Sequence, residues 1–397
     1  MKNKFLSLGI AVALLFACEK DNTPDIVIND NSVTNITEGG GGEPPAETTV
    51  NLSGVYTEDL VLDSEIDYVV TGPVLMADGT TLTIPAGLTI KAKPVGVNAY
   101  IAIQQGAQIN ALGTASNPIV LTSEANSPSS GDWGGLVICG RAPINSTPDG
   151  SEDTATSEVG GLSYGGNTPA DNSGNLQYVR IEYAGGAIDG NAELNGLSLY
   201  AVGSGTTIDY VQVFEGSDDG IEFFGGTVNA SHIVIVNAED DSMDWTEGYT
   251  GTVTDVYIQH GTSHDKAFEC DGYNTDFSNE GGYFSAPNVI NLTVAGADDA
   301  SEAIRLRAGT QGTFTNVVLN DFDEGFDLDG DTGDNPTGQG VLDGNLGVID
   351  VTFNNVTTKL KNDTGYTFTE ADFISGDGNG TGTDVSSWGS GWTVGVN

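Results

Sequence analysis

Paired acidic residues recur along this chain at a near-constant interval, and that spacing is the first feature able to do chemistry. Asp218-Asp219 and Asp240-Asp241 lie 22 residues apart, His264-Asp265 follows, and Asp323-Glu324 closes the series. Carboxylates brought about 5 Å apart repel by roughly 3 kcal/mol at an effective dielectric near 20. They must splay into water, share protons at raised pKa, or hold a cation. Asp219, Asp240 and Asp241, with His264 and Arg305 further along, are therefore candidate acid–base groups. An inverting glycosidase needs two carboxyls about 6.5 to 9.5 Å apart, and Asp219 and Asp241 have the spacing to supply them. The plainer alternative is that one Asp of each pair accepts backbone N–H groups at a tight corner.

A denser acidic stretch follows, with Asp321, Asp323, Glu324, Asp327, Asp329, Asp331 and Asp334 inside fourteen residues. Asp327-x-Asp329-x-Asp331 resembles the start of an EF-hand loop, then departs from it at Thr332 and Gly338, where that loop needs glycine and glutamate. Hard oxygen donors at this density still point to Ca²⁺ as the candidate ion. His232, His260 and His264 stand at no metal-ligand spacing with the cysteines, which argues against zinc.

These residues need a scaffold, and the sequence supplies a repeating one. Leu197, Ile221, Met243, Phe268, Ile304 and Phe326 each open a short apolar–outward–apolar segment, mostly 22 to 25 residues from the last. Upstream of each lies a second alternating segment, such as Val211-Gln-Val213 or Ile233-Val-Ile235. Period-2 alternation returning at this interval specifies an all-β solenoid, a parallel β-helix of about 22 to 25 residues per coil. Right-handed crossover is the expected hand. The outward positions Ser198, Glu222, Asp244 and Glu269 then line one face. Insertions near 141–175 and 272–287 leave the coil after the same strand, about 19 Å apart at the inter-strand spacing, and would wall a groove over that floor. Cys139 and Cys270, on coils equally far apart, are expected to be buried and unpaired.

The chain has 56 Asp and Glu against 12 Lys and Arg, a formal charge of −44. That excess argues against nucleic acid as a partner and favours cations. Residues 1–17 read as a signal peptide: Lys2 and Lys4 precede a short apolar run, and Leu15-Phe-Ala-Cys18 resembles a lipobox with Cys18 as the lipidation site. Residues 18–49 read as an acidic disordered tether, 50–355 as the β-helix, and 356–397 as a capping segment with Trp388 and Trp392 over its open end.

Gly106-Ala-Gln-Ile-Asn-Ala-Leu-Gly-Thr114, Asp132-Trp-Gly-Gly-Leu-Val-Ile-Cys-Gly140 and Trp388-Gly-Ser-Gly-Trp392 resemble a family of Bacteroidota surface lipoproteins with right-handed, pectin-lyase-like β-helices. The resemblance implies an outer-membrane lipoprotein facing the cell exterior, and no catalytic motif comes with it. The order of acidic pairs, His264 and Arg305-Leu-Arg307 also resembles polygalacturonase-type hydrolases, without their Asn-Thr-Asp or Gly-His-Gly motifs. The sequence therefore reads first as a lipid-anchored, non-enzymatic protein that binds polysaccharide or another extracellular partner, such as an outer-membrane receptor, with Glu222, Asp244 and Glu269 in the groove. A polysaccharide-degrading enzyme, either a hydrolase or a Ca²⁺-dependent lyase, is the alternative; a purely structural or adhesion protein is the other.

Overall fold

The computed structural model describes residues 49–151, 153–187, 193–297, 300–330 and 336–396. Cys18, Asp331 and Asp334 lie outside them, as do the signal peptide and nearly all of the tether.

The strands coil into a parallel ladder whose register is the one the repeat dictates. Leu197, Ile221, Met243, Phe268, Ile304 and Phe326 stand opposite one another on successive coils. Leu136 precedes this column and Leu360 ends it. A longer strand in each coil, such as Thr207–Phe214, Asn229–Val236, Thr252–Gln259 or Asn288–Ala295, supplies the remaining walls. Each bends midway at a left-handed residue: Tyr210, His232, Asp255 and Asn291 have φ of 55°, 52°, 57° and 59°. Such backbone is costly without glycine, and stacking of the bend residues offsets it. Tyr210 lies between Tyr178 and His232 at 4.2 and 4.1 Å, and Asn291 Nδ2 donates to Asp255 Oδ1 at 3.0 Å.

Inside, Phe223, Trp245, Phe268, Phe314 and Phe326 are fully buried, each worth roughly 1.5 to 3 kcal/mol of transfer free energy. Cys270 sits among them, while Cys139 faces the other side of the coil wall, and both are free and buried as expected.

The C-terminal part differs from the sequence reading. The strand Leu346–Asp363 continues the ladder as another full coil, so the solenoid runs past residue 355. Its end is closed by Phe373, 5.3 Å from Phe326, rather than by the tryptophans. Trp388 and Trp392 instead fold back along the bent strands. Trp392 is fully buried against Tyr178 and Tyr210, and Gln212 exchanges two hydrogen bonds with Val394. The stacked bend residues offer an aromatic surface along the side of the solenoid, and the tail covers it.

The insertions also differ, since they do not stand apart as two walls. Asn145 Nδ2 donates to the carbonyls of Gly272 and Tyr283 at 2.8 Å each, Gly281 N–H donates to Asn145 O, and Thr147 bridges Ser278. A polar hairpin cannot bury its backbone alone, so the first insertion leans on the second and on the coil. Val159, Leu162 and Tyr164 then pack over the outward side chains Ala102, Val137, Cys139 and Tyr200 as a second small core.

Candidate active site

Following the outward column along the solenoid shows where that cover stops. Val137, Ser198, Glu222, Asp244, Glu269, Arg305, Asp327 and Lys361 stand in register on successive coils. Val137 lies under the first insertion and Ser198 is fully buried, so Ser198 is not part of an open floor. From Glu222 onward the column is charged, and all of its members but the buried Asp327 are partly exposed.

The corner residues join it from one side. Asp219 and Asp241 are 7% and 5% exposed. Asp219 Oδ1 accepts Asp241 N–H at 3.1 Å, and Asp241 Oδ1 accepts Lys266 N–H at 2.8 Å. The corner-capping role is thus real for one oxygen of each. Beyond that role, oxygens of Asp219, Glu222 and Asp244 lie within 4.8 Å of one another, and so do those of Asp241, Asp244 and Glu269. Asp244 belongs to both groups, and its buried Oδ1 has no hydrogen-bond partner. Asp240 sits at the rim, grouped with Asp218 and Asp219 on one side and with Asp241 and Asp265 on the other.

Packing this many carboxyls together changes their protonation. Burial, then the neighbouring acids, push Asp219 and Asp244 well above the usual carboxylate range. Burial also raises Glu222 and Asp241 well above it, against the Asn195 amide on Glu222 (2.7 Å) and the Lys266 charge beside Asp241. Asp218 is pushed up to about 7 by burial and by Glu193 and Asp240. Two cations enter the cluster. Lys266 Nζ lies 2.6 Å from Asp265, 3.1 Å from Glu269 and 3.7 Å from Asp241. Arg307 pairs with Glu269 and, at 2.5 Å, with Asp271.

Two of the acid–base candidates are not gathered here. His264 stacks on His260 at 4.5 Å with its Nδ1 3.2 Å from Asp265 O, and Arg305 is held by Asp329 and Glu302. The dense acidic stretch is also dispersed, because residues 312–329 form one strand. Asp321 and Asp323 face a small polar pocket with Asn355 on one side. Asp327 and Asp329 turn to the charged face, where Lys361 and Arg305 take them at 2.9 and 2.5 Å. Glu324 joins Glu302 and Asp327 within 4.8 Å of one another. The backbone turns inside this strand, with Asp321 itself at φ 64°, so Asp321 and Asp323 end on a different wall from Asp327 and Asp329 and the described members do not all converge on one point.

Sequence reasoning missed Glu247, which follows the Met243–Thr246 strand at φ 52°. It is 1% exposed and accepts from Tyr164 Oη at 2.9 Å and Asn274 Nδ2 at 3.3 Å, tying both insertions to the coil beside the cluster. An acidic residue outside the repeat was the only available signal.

Residues 54–393 match the family model of the pectate-lyase-like β-helix domain. The chain belongs to this family. No curated protein matches it in sequence. Among solved structures, it is similar to the catalytic unit of a thermostable GH87 α-1,3-glucanase from Streptomyces thermodiastaticus strain HF3-3, at 11% identity and a TM-score of 0.37 over 88% of this chain and 72% of that one. A variant GH87 α-1,3-glucanase catalytic domain in complex with tetrasaccharides is similar at 10% identity and a TM-score of 0.33, over 86% and 71%. In this member of the pectate-lyase-like family, the carboxyl cluster around Asp244 lies on the coils beside the joined insertions.

Proposed function

We propose that this face is a polysaccharide-cleaving centre working by carboxyl acid–base chemistry, with Asp244 as the acid and Glu269 as its partner. The observation that supports it is Asp244 itself, in register with Glu269 on the next coil and within 4.8 Å of it, with one oxygen free of any partner. Desolvation and like charge, which raise the Asp244 carboxyl well above the usual range, favour the protonated form that donation to a glycosidic oxygen requires. Glu269, ion-paired with Lys266 and Arg307, is the carboxylate of the pair. A separation under 4.8 Å falls short of the about 6.5 to 9.5 Å that seats an inverting water and lies nearer the about 5 Å of a retaining pair. In that chemistry Asp244 gives its proton to the leaving oxygen while Glu269 bonds to the anomeric carbon. Water, deprotonated by the Asp244 carboxylate, then displaces Glu269 and restores both groups. Release of reducing ends from a polysaccharide panel tests the proposal, with loss in Asp244→Asn expected and unchanged release in that variant against it.

A second reading is favoured by the same unpartnered oxygen. Asp219, Glu222 and Asp244 offer the hard oxygen donors that Ca²⁺ takes in sets of about six to eight, which would make the face a cation-assisted binding surface. A lipid anchor at Cys18 on the outer-membrane surface belongs to the same proposal and is supported by the lipobox-like Leu15-Phe-Ala-Cys18. A Cys18→Ser form that still fractionates with membranes would remove the anchor.

A further inference from the structure

Among the described residues, the charged face carries the cations Lys266, Arg305, Arg307 and Lys361, and each of them is already paired. Lys266 is held by Asp241, Asp265 and Glu269; Arg307 by Asp271 and Glu269; Arg305 by Asp329 and Glu302; Lys361 by Asp327, Glu324 and Asp363. The two arginines are nonetheless about one-third exposed, so their guanidinium groups reach the surface where a polymer would lie. Arginine is the side chain best suited to grip a carboxylate in two-point fashion. Here those forks are turned back onto Asp271 and Asp329, which are 7% and 8% exposed and end the strands on either side of the one that carries the arginines. Among the described residues, a uronate or sulfate group arriving at this face meets no cation without a carboxylate partner, and each ionised carboxylate about 5 Å away costs it roughly 3 kcal/mol at an effective dielectric near 20.

We propose that the face selects polysaccharides without acidic groups, and that Asp271 and Asp329 enforce the choice by occupying Arg307 and Arg305. The inference rests on the reading of this face as a glycan site and adds its substrate class. It runs against what the family's description alone would suggest, since pectate is a polyuronate. Asp271 and Asp329 are specificity residues in this account, because they touch the arginines and not the scissile bond.

Affinity electrophoresis through gels containing polygalacturonate, run in EDTA, isolates this point from catalysis. The wild-type protein should migrate unretarded. Asp329→Asn, which removes the close partner of Arg305 and leaves only Glu302 at 3.7 Å, should be retarded, with an apparent dissociation constant at least about tenfold lower, as one uncompensated unit charge at close range allows. Asp271→Asn, which leaves Arg307 with Glu269 as its one acidic partner in place of two, should shift the same way to a smaller extent, so a folding failure in one variant leaves the other. Three results would overturn the inference: wild-type retardation in EDTA, wild-type retardation that appears only with Ca²⁺, or normally melting variants that gain no retardation. Failure of the cleavage reading has a different signature, namely no reducing ends from any uncharged glycan.

Discussion

Glu247 makes a quantitative demand on the structure. Its carboxylate is sealed under the joined insertions, accepting from Tyr164 Oη and Asn274 Nδ2, while its backbone carbonyl accepts Asn145 N–H at 2.9 Å. Burial first, and the Glu158 charge to a lesser degree, raise its pKa from 4.5 to about 7 despite the two hydrogen bonds that oppose the shift. The folded state therefore holds this proton more tightly than the unfolded chain does. The resulting stability is complete below about pH 4.5 and is lost as pH rises through 7. The gap between 4.5 and about 7 corresponds to about 3 kcal/mol. Glu247→Gln keeps an acceptor for Tyr164 and carries no charge at any pH. Urea unfolding of both proteins at pH 4.5, 6 and 8 should show their difference in unfolding free energy moving by about 3 kcal/mol in favour of the variant toward pH 8. A difference constant across that range would refute the claim that a buried, titrating carboxyl ties the insertions down.

Other expectations follow from the same geometry. Trp392→Ala should cost about 3 to 5 kcal/mol at its contact surface, and because the tail is a strap rather than core, the loss should appear as faster amide exchange over residues 388–396 before global unfolding. If a cation fills the cluster, a concentration of Ca²⁺ near 100 times its dissociation constant stabilises the protein by about 2.7 kcal/mol over EDTA, and identical melting in the two conditions would remove the ion. Cys139 and Cys270 should stay unreactive to thiol reagents until urea unfolds the chain, since both are fully buried and burial pushes the Cys139 thiol up to about 12.

The parts of the structure visible in the sequence are those that repeat. The apolar column from Leu197 to Phe326 and the outward column Glu222, Asp244 and Glu269 both follow from spacing, because in a solenoid the interval fixes the neighbour. The pairing of Asp219 and Asp241 across coils was legible for the same reason. What the sequence hid depends on contacts outside the repeat. Nothing in the spelling of Asn145 or Ser278 says that the two insertions meet. Trp388 and Trp392 resemble an end cap until the stack of Tyr178, Tyr210 and His232 gives them a better surface. The run from Asp321 to Asp329 looked like an ion loop because density of acid in sequence was read as density in space. A strand pairing with Leu346–Asp363 separates those residues, and Lys361 and Arg305 claim two of them.

The central claim is that Asp244 is a reacting acid and not merely an outward member of a structural carboxyl cluster. Its most direct test is reducing-end release from uncharged polysaccharides by wild type, Asp244→Asn and His264→Ala, all confirmed as folded. The account predicts release by wild type, a loss of about 100-fold or more in Asp244→Asn, in line with the usual contribution of a general acid, and near wild-type release in His264→Ala. Equal release by wild type and Asp244→Asn, or loss only in His264→Ala, would contradict it.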